Sequence, residues 1–161
     1  MMVDILIDEE YQQQLTPDFL EKIAVAVLKH IHPDGNFQLG IVITGDDEVR
    51  RLNREYRGID ATTDVLSFAM QDNPVEDDED EGIGQFPLAL DGVEHLGEVI
   101  ISMPQAGRQA EAGGHSLSME ISVLVIHGVL HLLGFDHEED EEAEIMENHE
   151  AGILANLEGV E

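Results

Sequence analysis

The stretch from Ile121 to His137 most constrains how this chain can fold. Ile121, Val123 to Ile126, Val129, Leu130, Leu132 and Leu133 leave no wide polar face, so a helix here has to be enclosed by the rest of the domain. Within that apolar run stand His127 and His131. Residues four apart on an α-helix project side by side, one turn along the axis. Gly134 supplies the stop, because glycine tolerates the left-handed backbone that ends many helices and lets the chain turn His137 back toward the first two imidazoles. Buried imidazoles need partners, and one metal ion satisfies several at once. Three histidine ligands leave the fourth tetrahedral position open, as catalytic rather than structural zinc requires. The competing reading is three unrelated, hydrogen-bonded core histidines.

Composition narrows the ligand set. The chain has 161 residues, 42% of them apolar, and no cysteine, which suits one domain and leaves only histidine and carboxylate as metal ligands. Met1 to Glu10 carries acids and no basic leader-like segment, and the apolar run at 121 to 135 is too short and too histidine-interrupted to span a bilayer. The expectation is a cytoplasmic protein with no membrane association and no disulfide partner.

Charge is lopsided, with 36 acidic residues against 7 lysines and arginines and a formal net of -29. Such a surface repels nucleic acid on average. Four of those seven cations nevertheless fall within eight positions, at Arg50, Arg51, Arg54 and Arg57. Arg50, Arg54 and Arg57 follow i, i+4, i+7 spacing and would line one helical face. Arg50, Arg51 and Arg54 are candidate substrate contacts, against the alternative of solvated ion pairs with Asp46, Asp47, Glu48 and Glu55.

Along the chain, residues 3 to 7 read as a strand and Thr16-Pro17-Asp18 as a capped helix start, with that helix running to about His30. Phe37 to Ile43 reads as a second strand, followed by a helix capped by Thr44 and ended by Gly58. Val65 to Phe68 is a third strand, 76 to 81 an exposed acidic loop, and Leu96 to Ser102 a fourth strand. Pro104 begins a helix that ends near Gly113-Gly114, and Ser116 or Ser118 caps the long apolar helix. Residues 138 to 157 make a final glutamate-rich helix with Ile145, Leu154 and Leu157 as its core face. This order predicts a single α+β domain: a small mixed sheet of about four strands, about five helices and a zincin-like metal helix.

The spacing His-x-x-x-His-x-x-Gly-x-x-His is also that of the metzincin proteases, whose second position is a glutamate general base. Here that position is Gly128, and losing the base removes roughly 10²–10⁴ in rate. A metalloprotease-like hydrolase is therefore the weaker alternative. The segment His-Gly-Val-Leu-His-Leu-Leu-Gly-Phe-Asp-His instead closely resembles the signature of the YbeY family, metal-dependent endoribonucleases of ribosomal RNA maturation. Leu52 to Gly58, Thr63 to Phe68 and Leu96 to Ser102 resemble further blocks of that family, in its order. Thr62 and Ala69 stand where the family often has proline, and Phe135 where it often has tyrosine.

The resemblance implies a single-strand-specific, zinc-dependent endoribonuclease acting in ribosomal RNA processing, at the 3′ end of 16S rRNA, and in ribosome quality control. It implies one Zn²⁺ held by His127, His131 and His137, a zinc-bound water as nucleophile, and Arg57 as phosphate or transition-state contact. Ribosomal RNA is then the substrate, with the ribosome or a ribosomal protein as partner. A non-catalytic ribosome-assembly factor with a structural zinc is the alternative. Asp136 reads either as an acceptor that orients an imidazole or simply as a turn residue, and is left unassigned. Ser67 and Ser102 read as structural, and His30, His32, His95, His115 and His149 as surface or turn residues.

Overall fold

The structure is a computed structural model that describes residues 2–69, 93–135 and 140–158, with side chains from 141 to 155 in the last span. Its elements in order are β1 (Met2–Ile7), a 3-10 turn at Glu9–Tyr11, α1 (Pro17–Ile31), β2 (Phe37–Thr44), α2 (Asp46–Arg57), β3 (Val65–Ala69), β4 (Glu94–Ser102), α3 (Met103–Gly113), α4 (Leu117–Leu132) and α5 (Asp140–Glu158). This is the α+β architecture expected from the sequence. The described strands form one mixed sheet in the order β1-β2-β4-β3. The β1–β2 and β2–β4 pairs are parallel, and β3 runs antiparallel along β4 as an edge.

Alternation along β2 sets the two faces of this sheet. Phe37, Leu39, Ile41 and Ile43 are buried while Gln38, Gly40 and Val42 are only half-buried, as a period of two requires. Pairing aligns Ile41 with Ile5 on one side and Val99 on the other. That face carries the main core, in which Leu20, Ile23 and Val27 of α1 and Ile121, Val125 and Val129 of α4 are enclosed. On the reverse face Val49 of α2 packs with Leu66 and Ile100. Strand β4 is thereby covered on both sides, which is why Val99, Ile100 and Ile101 are all apolar.

A bulge lies where β4 begins. Gln38 pairs with His95 and Leu39 with Gly97, so Leu96 is the extra residue, and Gly97 takes φ 129°, a conformation open to glycine and strained for other residues.

Most local signals act where the sequence places them. The Thr16 hydroxyl accepts from the Phe19 amide at 3.2 Å, Gly58 closes α2 at φ 75°, and Ser116 caps α4. Ser102 caps α3, so that helix starts at Met103, one residue before Pro104. Two expectations are corrected. The cap of α2 is Gly45, not Thr44, because Thr44 stays in β2 opposite Ser102 and its hydroxyl donates to Asp8 at 2.6 Å. The core face of α5 is formed by Met146 and Ile153, with Leu154 beside them, while Ile145 is 50% exposed. A shift of one residue turns a helix by roughly 100°, and contact with the main core selects Met146 over its neighbour. Leu157 and the acidic run at 76 to 81 lie outside the described side chains and residues. No single described helix is long and apolar enough to cross a membrane.

Candidate active site

Helix α4 lies hard against the sheet at Gly128. A Cβ there would meet Val99 Cγ1 at 2.6 Å and Cγ2 at 3.1 Å, with the Ser67 hydroxyl at 3.3 Å. Ser67 donates to the Gly128 carbonyl at 3.2 Å, tying edge strand β3 to the helix. The residue beside His127 is thus glycine for a steric reason as well as a chemical one. A carboxylate at this position would drive into β4.

His127 and His131 are half-buried on the open side of the same helix. Their Nε2 atoms lie 3.0 Å apart, and the rings meet edge to face at 4.5 Å between centroids. On the far side of His127, Nδ1 is 3.0 Å from Oε2 of Glu150 on α5. An ionised carboxylate only accepts, so the proton sits on Nδ1 and the Nε2 lone pair points toward His131. A carboxylate behind an imidazole is the arrangement that fixes tautomer and ring orientation in metal-ligating histidines. Tetrahedral zinc with bonds of about 2.0–2.1 Å holds its nitrogens roughly 3.3–3.4 Å apart, so the observed separation is within a few tenths of an ångström of what one ion requires. The donor chemistry fits the metal.

Among the described residues no third histidine, aspartate or glutamate completes a metal-holding group. The third donor named from the sequence, His137, lies outside them, as does Asp136. The turn leading there is present. Gly134 adopts φ 103°, and the Phe135 amide returns to the Leu130 carbonyl at 3.0 Å, a glycine-based helix termination.

Glu150 was not singled out in the sequence, where it is one of 36 acids. The available signal was its place between Met146 and Ile153, four and three residues away on the buried stripe of α5. Of the other histidines, His30, His32 and His115 are exposed, as expected, and His95 and His149 are half-buried. His149 stacks on Phe135 at 5.0 Å and its Nδ1 lies 3.3 Å from Nε2 of His30. His115 meets the buried Glu120 at 2.5 Å, and His95 bonds Gln38. Ser67 and Ser102 keep structural roles, the latter buried and donating to Asp46 at 2.7 Å.

The model of one protein family, endoribonuclease YbeY, matches residues 5–158. The chain belongs to the YbeY family. An endoribonuclease YbeY from Dehalococcoides mccartyi strain 195 is 46% identical over 151 residues, covering 93% of this chain and 86% of the relative. One from Chloroflexus aurantiacus is 41% identical over 154 residues, covering 94% of each. A Thermotoga maritima protein solved in solution shares the fold at TM-score 0.58 and 22% identity, covering 98% of this chain and 93% of that one.

The arginines that resemble a YbeY block lie on α2, across β3 from the histidines. Arg50 grips Asp60 through Nε at 2.8 Å and Nη2 at 3.3 Å, and Arg54 reaches the same carboxylate at 3.8 Å. Arg51 is held by Glu48 at 2.6 Å and Glu55 at 3.1 Å. These hydrogen bonds hold the Glu48 and Asp60 carboxyls below their ordinary range. Arg57 is exposed in the last turn, with no ion pair to a described residue. Of the four expected cations, it is the one with no acidic partner among the described residues.

Proposed function

We propose that this chain is a zinc-dependent endoribonuclease of single-stranded ribosomal RNA, working in 16S rRNA 3′-end maturation and ribosome quality control in the cytoplasm. Its relatives carry the name endoribonuclease, and the convergence of His127 Nε2 on His131 Nε2, with Glu150 behind the first ring, is the observation that carries the reading to a site. His127, His131 and His137 would hold one zinc ion. When bound, zinc supplies Lewis acidity, which brings water into the range of a usable nucleophile near neutral pH and polarises a phosphoryl oxygen.

The chain's own groups do the rest. Glu150 holds the Nδ1 proton of His127, so Nε2 is kept as a donor atom and the ring cannot swing. Gly128 lets α4 settle on Val99, which fixes both imidazoles on a buried, stiff element rather than a loop. Arg57 offers a planar, permanently charged fork to the phosphate, and no acid among the described residues occupies that fork. Arg50, Arg51 and Arg54 are secondary substrate contacts, since exposed ion pairs of this kind hold their partners weakly and exchange them for phosphate.

Cleavage of single-stranded precursor rRNA by the purified protein, with metal content measured on the same sample, tests this. His131→Ala should lose both metal and cleavage, whereas Arg57→Ala should keep the metal and lose cleavage by on the order of 10²-fold, the effect of removing one preorganised charge contact. A wild type that holds stoichiometric zinc, binds ribosomes and leaves RNA intact would establish the assembly-factor alternative instead.

A further inference from the structure

Tyr56 is 68% exposed, the residue before Arg57 at the end of α2. Its ring rests edge-on against Phe68 of edge strand β3, with centroids 5.6 Å apart and planes at 63°. Ile59, just beyond the helix, is 48% exposed, so the end of α2 presents both an aromatic and an aliphatic side chain to solvent. The helix end that presents them is pinned. The Asn53 carbonyl accepts from the Ile59 amide at 3.2 Å, and the buried Asn53 side chain donates to the Ala61 carbonyl at 2.8 Å.

A lone exposed tyrosine is unremarkable, but three observations around this one point to a nucleobase. Phe68 backs the ring and limits its rotation. Arg57 adds a cation without an ion pair among the described residues. Ser67, next in the strand and pointing to the opposite face, touches the turn of α4 that carries His127. The aromatic face and the histidine pair therefore sit on two sides of one edge strand. Stacking also answers the electrostatic difficulty of a chain with net charge -29. Base–aromatic contact needs no cation and tolerates any sequence, and only an unpaired base offers its π-face.

We infer that Tyr56, braced by Phe68, is the stacking platform for an unpaired base of the RNA strand whose phosphate Arg57 contacts. The inference rests on the endoribonuclease reading and assigns the preference for single strands to a positioning residue outside the metal site.

The chain has two tyrosines and no tryptophan, so in a Tyr11→Phe background Tyr56 is the sole strong emitter. Full-length, metal-loaded protein is mixed rapidly with a short single-stranded oligoribonucleotide, and emission is read before cleavage. The expected result is saturable quenching by that oligomer and none by an abasic ribose-phosphate oligomer of equal length. Tyr56→Ala should bind the oligomer roughly 5- to 150-fold more weakly and raise KM more than it lowers kcat, while Tyr56→Phe restores both. Unquenched emission during binding, or wild-type affinity in Tyr56→Ala, would overturn the platform and leave the endoribonuclease reading standing. Ribosome binding lost in Tyr56→Ala with oligomer affinity unchanged would overturn it in favour of a protein contact. A wild type that neither binds nor cleaves the oligomer would defeat both readings.

Discussion

Glu150 reaches Nδ1 of His127 at 3.0 Å from a helix that packs across α4, and so decides which nitrogen of that ring is available to a metal. A neutral imidazole has one donor and one acceptor nitrogen, and a carboxylate at Nδ1 fixes the choice. Replacing Glu150 by alanine should weaken zinc affinity by roughly 10- to 100-fold, read by competition against a chromogenic chelator. Glu150→Gln should fall between the two, because an amide oxygen still accepts but carries no charge. Identical zinc affinity in all three proteins would show that α5 packs beside the site without orienting it.

Gly128→Ala separates helix propensity from packing. Alanine favours a helix interior by about 0.8–1.0 kcal/mol over glycine. Its Cβ would lie 2.6 Å from a branch of buried Val99, however, and overpacking costs typically about 1–3 kcal/mol. We expect a net loss of stability in denaturant unfolding, largely recovered in the Gly128→Ala/Val99→Ala double variant relative to Val99→Ala alone. Additive effects of the two changes would place the strain elsewhere.

Features legible in the sequence were local ones. Thr16-Pro17, Gly58 and Gly134 each act through their own turn of backbone, and the four-residue spacing of His127 and His131 needs only helix geometry to bring the rings together. Features that failed depended on distant contacts. Thr44 has the chemistry of a cap, but pairing with Ser102 and a bond to Asp8 keep it in the strand. Ile145 and Met146 are equally apolar, and only contact with the main core chooses Met146. Glu48 and Glu55, which hold Arg51, follow from helical spacing, but Glu150 and the Asp60 that holds Arg50 could not be told from the chain's many other acids. Asp60, which takes Arg50, lies beyond Gly58 and becomes a neighbour only once α2 ends where it does.

Those ion pairs divide the arginines by their expected effect on RNA affinity. A side chain that contacts phosphate changes the slope of log affinity against log salt by about one when removed. Arg57→Ala should lower that slope by about one in oligoribonucleotide titrations across ionic strength. Arg51→Ala should lower it by clearly less, because phosphate has to compete with Glu48 and Glu55 for that guanidinium. Equal slope changes for both variants would mean that RNA displaces the acids and reads α2 as one cationic stripe.

Asp46 makes fold stability depend on pH in the acid range. From the first turn of α2 its Oδ1 accepts from Ser102 at 2.7 Å and Thr62 at 3.2 Å, and its Oδ2 from Arg108 at 2.9 Å, joining α2, β4, α3 and the segment before β3. Burial pushes this carboxyl up, but the bonds from Ser102, Arg108 and Thr62 outweigh it and hold the pKa below the ordinary 3.8. A carboxyl whose pKa is lower in the folded state adds stability that is complete above its unfolded value and is lost as pH falls through the folded one. Asp46→Asn keeps the shape without the charge. The stability difference between wild type and Asp46→Asn should therefore stay constant from neutrality down to about pH 5 and shrink below about pH 4, measured as urea midpoints across that range. A difference that persists undiminished into the acid range would show that the asparagine loses hydrogen-bond geometry rather than charge.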